Sequence, residues 1–415
     1  MATRITRNGD EVIISFAGRL DTGTSAEVGA EINNALSRLT EADGETPFTQ
    51  VTMDASQMEY ISSSGLRILL SLSKRYKGFR VIDVQPQVYD VLDTTGFTKI
   101  LTVERSMRRM IIDGCQLIGV GGVGTVYRLN GDTIIKVFRE GTTLDEVRRE
   151  ITMSKEAFVL GMPTAISFDI VKVKRPTPGP SREGEETDCY GLVYELLNAE
   201  TLSSVVKQHP EQLEQYALKY ADLLRQMHDI EVPLGGNVPS AKERELEQVN
   251  HIRRYFPQES VDMLLRIVES IPNANRLLHL DLQTKNVMVQ DGELMLIDMG
   301  EVGYGHPMLD MGHAYSAMVT LVGDYDKIIG MPRELGRRVW DIAIDRYFEG
   351  LPADIVAQRK AQVEVVSCVR NFSWLSLSDS FPEDVVRECQ SLFNERVANR
   401  FDYIMEVCSG FSKWK

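Results

Sequence analysis

The chain has 415 residues, 43% of them apolar, more core-forming material than one ordinary domain needs, so two or three domains are expected. Sixty acidic against 46 basic residues give a formal charge of -14, which argues against a nucleic-acid partner, because phosphate backbones are bound by Lys and Arg neutralisation. Five scattered cysteines with no Cys-x-x-Cys pair, an N-terminus without an apolar signal core and no run long enough to span a bilayer point away from zinc, disulfide and membrane proteins and towards a cytoplasmic one.

Residues 11–16, EVIISF, read as a strand, followed by a turn-like Gly18-Arg19-Leu20-Asp21 and a helix with Val28, Ile32, Ala35 and Leu39 on one face. The alternation recurs as strand 51–53, helix 63–76 before Gly78, strand 79–84 and a helix after Pro86 that ends near Gly96. This order implies a small α/β domain over residues 1–103, a sheet with packed helices. The segment MEYISSSGLRILLSL, together with the Gly18–Asp21 turn and residues 86–100, resembles a STAS domain of the anti-sigma-factor-antagonist type. That resemblance implies a protein partner of the anti-sigma-factor kind and a serine phosphorylated at a helix start in an Asp-Ser-Ser-Gly setting. Ser63 matches the phosphoacceptor, while Ser62 stands where Asp is common. The simpler alternative is that Ser62, Ser63 and Ser64 only cap the helix.

Residues 104–113 read as a basic, Met-containing connector, with a short helix as one option. Beyond it, residues 117–138 read as strand, glycine loop, strand, Asn-Gly-Asp turn and strand. Gly119, Gly121, Gly124 and Val126 match G-x-G-x-x-G-x-V. A dinucleotide fingerprint would run on into a helix; this one runs into a strand, which favours the kinase type, where backbone N–H groups cover nucleotide phosphates and a lysine on the third strand pairs with them. Lys136, in IIKVF, is that lysine, and the following helix must offer it a carboxylate: Glu150 first, with Glu146 and Glu156 as alternatives. The Pro-, Gly- and charge-rich stretch 174–188 reads as an exposed hairpin loop. Residues 190–197, YGLVYELL, read as a strand and hinge, with backbone groups near Glu195 to Leu197 facing adenine. Helices dominate from 202 to 271, where His228 and His251 read as structural histidines, and again over 334–348 and 382–407; Phe372, Trp374 and Phe381 read as core.

Between these helical stretches, residues 277–310 carry the densest chemistry. His279, Asp281 and Asn286 share a short loop, the runs VMV and LMLI flank an Asp-Gly turn at Asp291 and Gly292, and Asp298 closes the second run. This stretch resembles the catalytic core of aminoglycoside phosphotransferases and choline-kinase-like enzymes. The resemblance implies that Asp281 accepts the acceptor hydroxyl's proton, that Asn286 and Asp298 bind Mg2+, and that His279 and Asp310 support the loop. Two positions depart from related patterns: Leu280 replaces the usual Gly or Arg, and Met299 replaces the Phe of Asp-Phe-Gly.

The expected architecture is an α/β STAS domain followed by an α+β, two-lobed protein kinase-like domain over residues 114–415, with an N-lobe of 114–197 and a C-lobe of 198–415. The expected function is ATP- and Mg-dependent phosphoryl transfer to a hydroxyl on a small molecule or protein, coupled to the STAS domain. The alternative is a nucleotide-sensing pseudokinase that switches partners without turnover.

Overall fold

Two strands around a tight turn open the chain: β1 (Ala2–Asn8) and β2 (Glu11–Leu20) pair antiparallel, with Asn8 opposite Glu11 and Gly9 at φ 63° in the reversal. The computed structural model describes residues 2–41, 48–174, 188–378 and 380–411, and the chain divides into two units, Met1–Arg109 and Met110–Lys415.

In the first unit, β2, β3 (Gln50–Ile61), β4 (Arg80–Val84) and β5 (Thr102–Arg105) run parallel, giving the sheet order β1-β2-β3-β4-β5. Parallel neighbours need crossovers, and α1 (Ser25–Glu41), α2 (Ser63–Arg75) and α3 (Pro86–Thr94) supply them. Val28, Ile32 and Leu36 form a stripe along α1 that packs with Val12, Ile14 and Phe16, the alternate residues of β2. Each such burial contributes about 1.5–3 kcal/mol, so this α/β unit has its own core. Three details differ from the expectation. Strand β1 was not foreseen, β3 is far longer than 51–53, and Gly18 to Leu20 belong to β2 rather than to a turn. Gly18, at φ 100°, lies at a register shift against β3, so the chain kinks there without leaving the sheet.

The second unit begins with a six-stranded sheet in the order β6-β10-β11-β9-β8-β7. Its strands are β6 (Arg109–Ile111), β7 (Gln116–Val120), β8 (Gly124–Arg128), β9 (Thr133–Phe138), β10 (Ser167–Lys174) and β11 (Asp188–Glu195). Helix α4 (Leu144–Val159) follows β9 and is started by a capping box between Thr143 and Glu146. Residues 104–113 thus hold the end of β5 and all of β6, with no helix. The stretch read as an exposed hairpin loop lies, from 175 to 187, outside the described residues.

Next comes a mainly helical part: α5 (Leu202–Gln208), α6 (Leu213–Asp229), α7 (Ala241–His251), α8 (Gln258–Ser270), α9 (Pro307–Tyr315), α10 (Tyr325–Ile329), α11 (Arg333–Tyr347), α12 (Ala353–Ser373), α13 (Glu383–Arg396) and α14 (Phe401–Ser409). Set among them are β12 (Glu200–Thr201), β13 (Arg276–Leu278), β14 (Val287–Gln290), β15 (Glu293–Leu296) and β16 (Gly303–Gly305), in two small sheets, β12-β14-β15 and β13-β16. Phe372 is buried, and Trp374 and Phe381 pack against the same cluster. Among the described residues, no helix is long and apolar enough to cross a membrane.

Candidate active site

A cavity of about 350 Å3 opens beside the loop between β7 and β8, within the range of small-molecule sites. Gly119, Gly121, Gly124 and Val126 line one part of it, Glu195 and Leu197 another, and Asn286 and Asp298 a third. The glycines differ in what demands them. A Cβ on Gly124 would lie 2.4 Å from Val137 O, so β8 needs glycine there to approach β9. At Gly119 nothing stands within 4 Å, and at Gly121 only Gly124 O does, at 3.7 Å. Those two positions leave open space beside the loop backbone, while the Gly121 N–H itself closes the turn by donating to Gly124 O at 2.8 Å.

Lys136 enters the same cavity from β9, where it pairs with Val126 on β8 and Leu192 on β11. Its Nζ donates to Glu150 Oε1 and Oε2, at 2.7 and 2.9 Å, and to Asp298 Oδ1 at 2.9 Å. Of the three acids left open on α4, Glu150 is therefore the one on Lys136. Glu146 is engaged with Thr143, and Glu156 Oε1 accepts from Asn237 at 2.6 Å. Burial works against the charge on Lys136, but the Asp298 and Glu150 carboxylates outweigh it and hold the ammonium pKa above its ordinary value. Burial raises the Glu150 carboxyl, and Lys136 only partly offsets this.

The residues of the 279–298 stretch come together through local geometry. Asp291 and Gly292, both at positive φ, turn β14 into β15, and that hairpin carries Asn286 at one end and Asp298 beyond the other. Asn286 Nδ2 donates to Asp281 O at 2.9 Å and to Asp281 Oδ2 at 2.8 Å, fixing the amide and leaving Oδ1 as its acceptor. His279 Nε2 lies 3.1 Å from Ile297 O, and its Nδ1 lies 3.3 Å from Asp281 N. A carbonyl only accepts and an N–H only donates, so the neutral ring with its proton on Nε2 satisfies both. Burial raises the Asp281 carboxyl, against the pull of Arg370 on α12. Asp298 adopts φ 61°, uncommon for a residue other than glycine.

Leu280, also at φ 65°, is buried. Asp310 explains how this backbone is held, because its Oδ1 accepts from Leu280 N at 2.7 Å and its Oδ2 from His279 N at 3.1 Å. His228 Nε2 lies 3.1 Å from the same Oδ2, with Tyr347 Oη on its other nitrogen at 2.8 Å. His313, with Nδ1 2.8 Å from Leu280 O and Nε2 2.8 Å from Glu245 Oε1, braces the loop from α9 to α7. The roles of His228 under Asp310, of His313 and of Tyr194, whose hydroxyl is 2.7 Å from Glu150 Oε1, have no sequence motif to announce them.

Among the described residues, no cluster of three or more His, Cys, Asp or Glu side chains is placed to hold a metal ion. Asn286 and Asp298, two oxygen donors on one cavity, fit a hard cation whose remaining ligands come from phosphates and water. In the first unit the three serines separate. Ser62 is the N-cap of α2, accepting from Gly65 N at 3.4 Å; Ser64 Oγ meets Ser62 Oγ at 2.7 Å and Ser25 Oγ at 3.2 Å; Ser63 is exposed on the first turn.

Comparison with protein families matches residues 115–330 to the phosphotransferase enzyme family and residues 2–110 to the STAS domain. Several solved structures are similar to this chain. Aminoglycoside phosphotransferase APH(2'')-Ib bound to ADP is 13% identical, over 76% of this chain and 99% of that one, with a TM-score of 0.46. Amicoumacin kinase hAmiN in complex with AMP-PNP, Ca2+ and Ami is 14% identical, over 75% and 93%, at 0.47. Choline kinase from Cryptosporidium parvum Iowa II is 12% identical, over 71% and 92%, at 0.45. No curated protein matches the chain.

Proposed function

Since the chain belongs to the phosphotransferase enzyme family and carries a STAS domain ahead of it, we propose that it transfers a phosphoryl group from Mg-ATP to a hydroxyl acceptor, in the cytoplasm. The observation that carries this reading is the junction at Lys136, where one ammonium meets Glu150 and Asp298 on a cavity also lined by the glycine loop and Asn286. Phosphoryl transfer asks mostly for positioning and charge neutralisation. Lys136, held by Glu150, pairs with the nucleotide phosphates; backbone N–H groups of the glycine loop cover them; and groups near Glu195 to Leu197 meet the base. Asn286 and Asp298 would hold Mg2+, which when bound neutralises charge developing on the transferring group. Asp281, oriented by Asn286, accepts the proton of the attacking hydroxyl. The acceptor is a small molecule or a protein side chain.

The STAS domain makes the protein a regulator as well as an enzyme in this reading, with Ser63 as its phosphoacceptor and an anti-sigma-factor-like protein as its partner. Exposure of Ser63, while Ser62 and Ser64 are engaged in hydrogen bonds, supports that choice among the three serines.

Calorimetric titration tests the nucleotide half of the proposal. Mg-ATP should bind the wild type, and EDTA should weaken the binding. Lys136→Ala should weaken it further, since hydrogen bonds to a charged group contribute about 1.5–3 kcal/mol, roughly ten- to a hundredfold in Kd. No heat of binding in the wild type at millimolar Mg-ATP would overturn the reading.

A further inference from the structure

Tyr194 is the residue before Glu195 at the end of β11; it lines the cavity and donates its hydroxyl to Glu150 Oε1 at 2.7 Å. An ammonium has three N–H donors, and Lys136 directs three hydrogen bonds to carboxylate oxygens, two on Glu150 and one on Asp298. To meet a phosphate, Lys136 must give up one of these hydrogen bonds, either the one to Asp298 or one of the two to Glu150. Which one it gives up determines whether Asp298 is available to a cation and whether Lys136 stays held by both Glu150 oxygens.

We propose that Tyr194 is a positioning residue for phosphoryl transfer: its hydroxyl fixes the Glu150 carboxylate, so that Lys136 keeps Glu150 and releases Asp298 when nucleotide enters. The inference rests on the reading of Lys136 and Glu150 as the nucleotide-holding pair. Three features of the site support the direction of the exchange. Glu150 Oε1 accepts from both Lys136 and Tyr194, whereas Asp298 meets Lys136 through one oxygen. The Glu150 side chain is 7% exposed and that of Asp298 37%, so Asp298 gives up the ammonium at less cost, with water or a cation at hand to replace it. Burial beside the Glu150 carboxylate pushes the Tyr194 phenol well above its ordinary pKa, which keeps the hydroxyl a donor throughout the physiological range. Tyr194 also ties the strand leading into residues 195–197, at the base end of the cavity, to the helix that anchors Lys136 at the phosphate end.

Tyr194→Phe removes the hydroxyl and keeps the ring. Calorimetric titration with Mg-ATP should show a Kd weakened roughly three- to tenfold, as expected for losing a hydrogen bond that acts through a neighbour. In a Glu150→Gln background the same substitution should change Kd by less than about twofold, since both act through one carboxylate. A merely structural role would lower the unfolding temperature and leave this coupling absent. Equal Kd values for wild type and Tyr194→Phe, or additive effects in the double variant, would overturn the proposal while leaving the nucleotide site standing. A wild type that does not bind Mg-ATP would instead overturn the functional reading on which it rests.

Discussion

Asp310 is a fully buried carboxylate with donors converging on it from His228, His279 and Leu280. Burial alone would raise its pKa, but the hydrogen bond from His228 and the other donors outweigh burial and hold it below the ordinary carboxylate range. A carboxyl depressed in the folded state contributes stability that is present above its unfolded value, about 3.9, and lost as pH falls through the folded value. Asp310→Asn supplies one accepting oxygen where three donors wait, so urea unfolding at pH 7 should show a loss of about 1–3 kcal/mol. The gap from wild type should narrow in acid, below the ordinary carboxylate range. A loss that stays constant from pH 7 into acid would contradict this account of the loop. Asp281, Asn286, Asp298, His279 and Asp310 were legible because they fall in one short stretch with fixed spacing. Tyr194 was not, since its partner Glu150 is 44 positions away and a tyrosine in an apolar strand looks like core. Arg370, which pulls against burial on Asp281, comes from α12, and no local pattern connects a distant helix to the loop that carries Asp281.

Turns and strands wrote themselves into the chain more plainly than some of the helices did. The Asp291-Gly292 reversal and the two hairpins of β7, β8 and β9 carry residue types that few other conformations favour. Helix α12 was missed because residues 362, 363 and 365–369 are all buried, which places core contacts around the helix and erases the one-sided stripe that marks an amphipathic helix. Strand β1 was missed because residues 3–8 are polar apart from Ile5, which gives no apolar alternation and resembles a terminal tail. Glycine positions can be tested at this scale. Gly124→Ala places a Cβ against Val137 O and should cost about 1–3 kcal/mol, read as a lowered unfolding temperature. Gly119→Ala enters open space, so its stability should stay within about 0.5 kcal/mol of wild type while Mg-ATP binding weakens. Equal destabilisation by both would mean that the loop glycines serve only the sheet. In the first unit Gly65 meets a similar demand: a Cβ there would lie 2.7 Å from Leu20 O, which accounts for the glycine that follows Ser62, Ser63 and Ser64.

At the scale of the whole molecule, one polypeptide joins a STAS domain to a phosphotransferase-family domain. Covalent linkage raises the effective concentration of each for the other, so even a weak mutual contact can couple nucleotide occupancy to the STAS surface. Phosphate on Ser63 would add about 1.5–2 negative charges at the start of α2, where free N–H groups favour an anion and Arg67 lies one turn along. Ser63→Ala should keep nucleotide binding and lose phosphate-dependent partner exchange, read by phosphosite mapping beside pull-downs with wild type and Ser63→Asp. Identical partner sets and no phosphate on Ser62, Ser63 or Ser64 would leave the three serines as parts of a helix start.

Phosphoryl transfer itself is tested most directly by following ADP formation from Mg-ATP in wild type and Asp281→Asn, with calorimetry confirming that both bind nucleotide. Turnover is expected in the wild type, slow with water and faster once an acceptor is present, and at least about a hundredfold less in Asp281→Asn, the usual scale of a lost general base. Equal ADP formation in the two proteins, or none in a wild type that binds Mg-ATP with acceptor hydroxyls supplied, would contradict it and leave a nucleotide sensor in place of an enzyme.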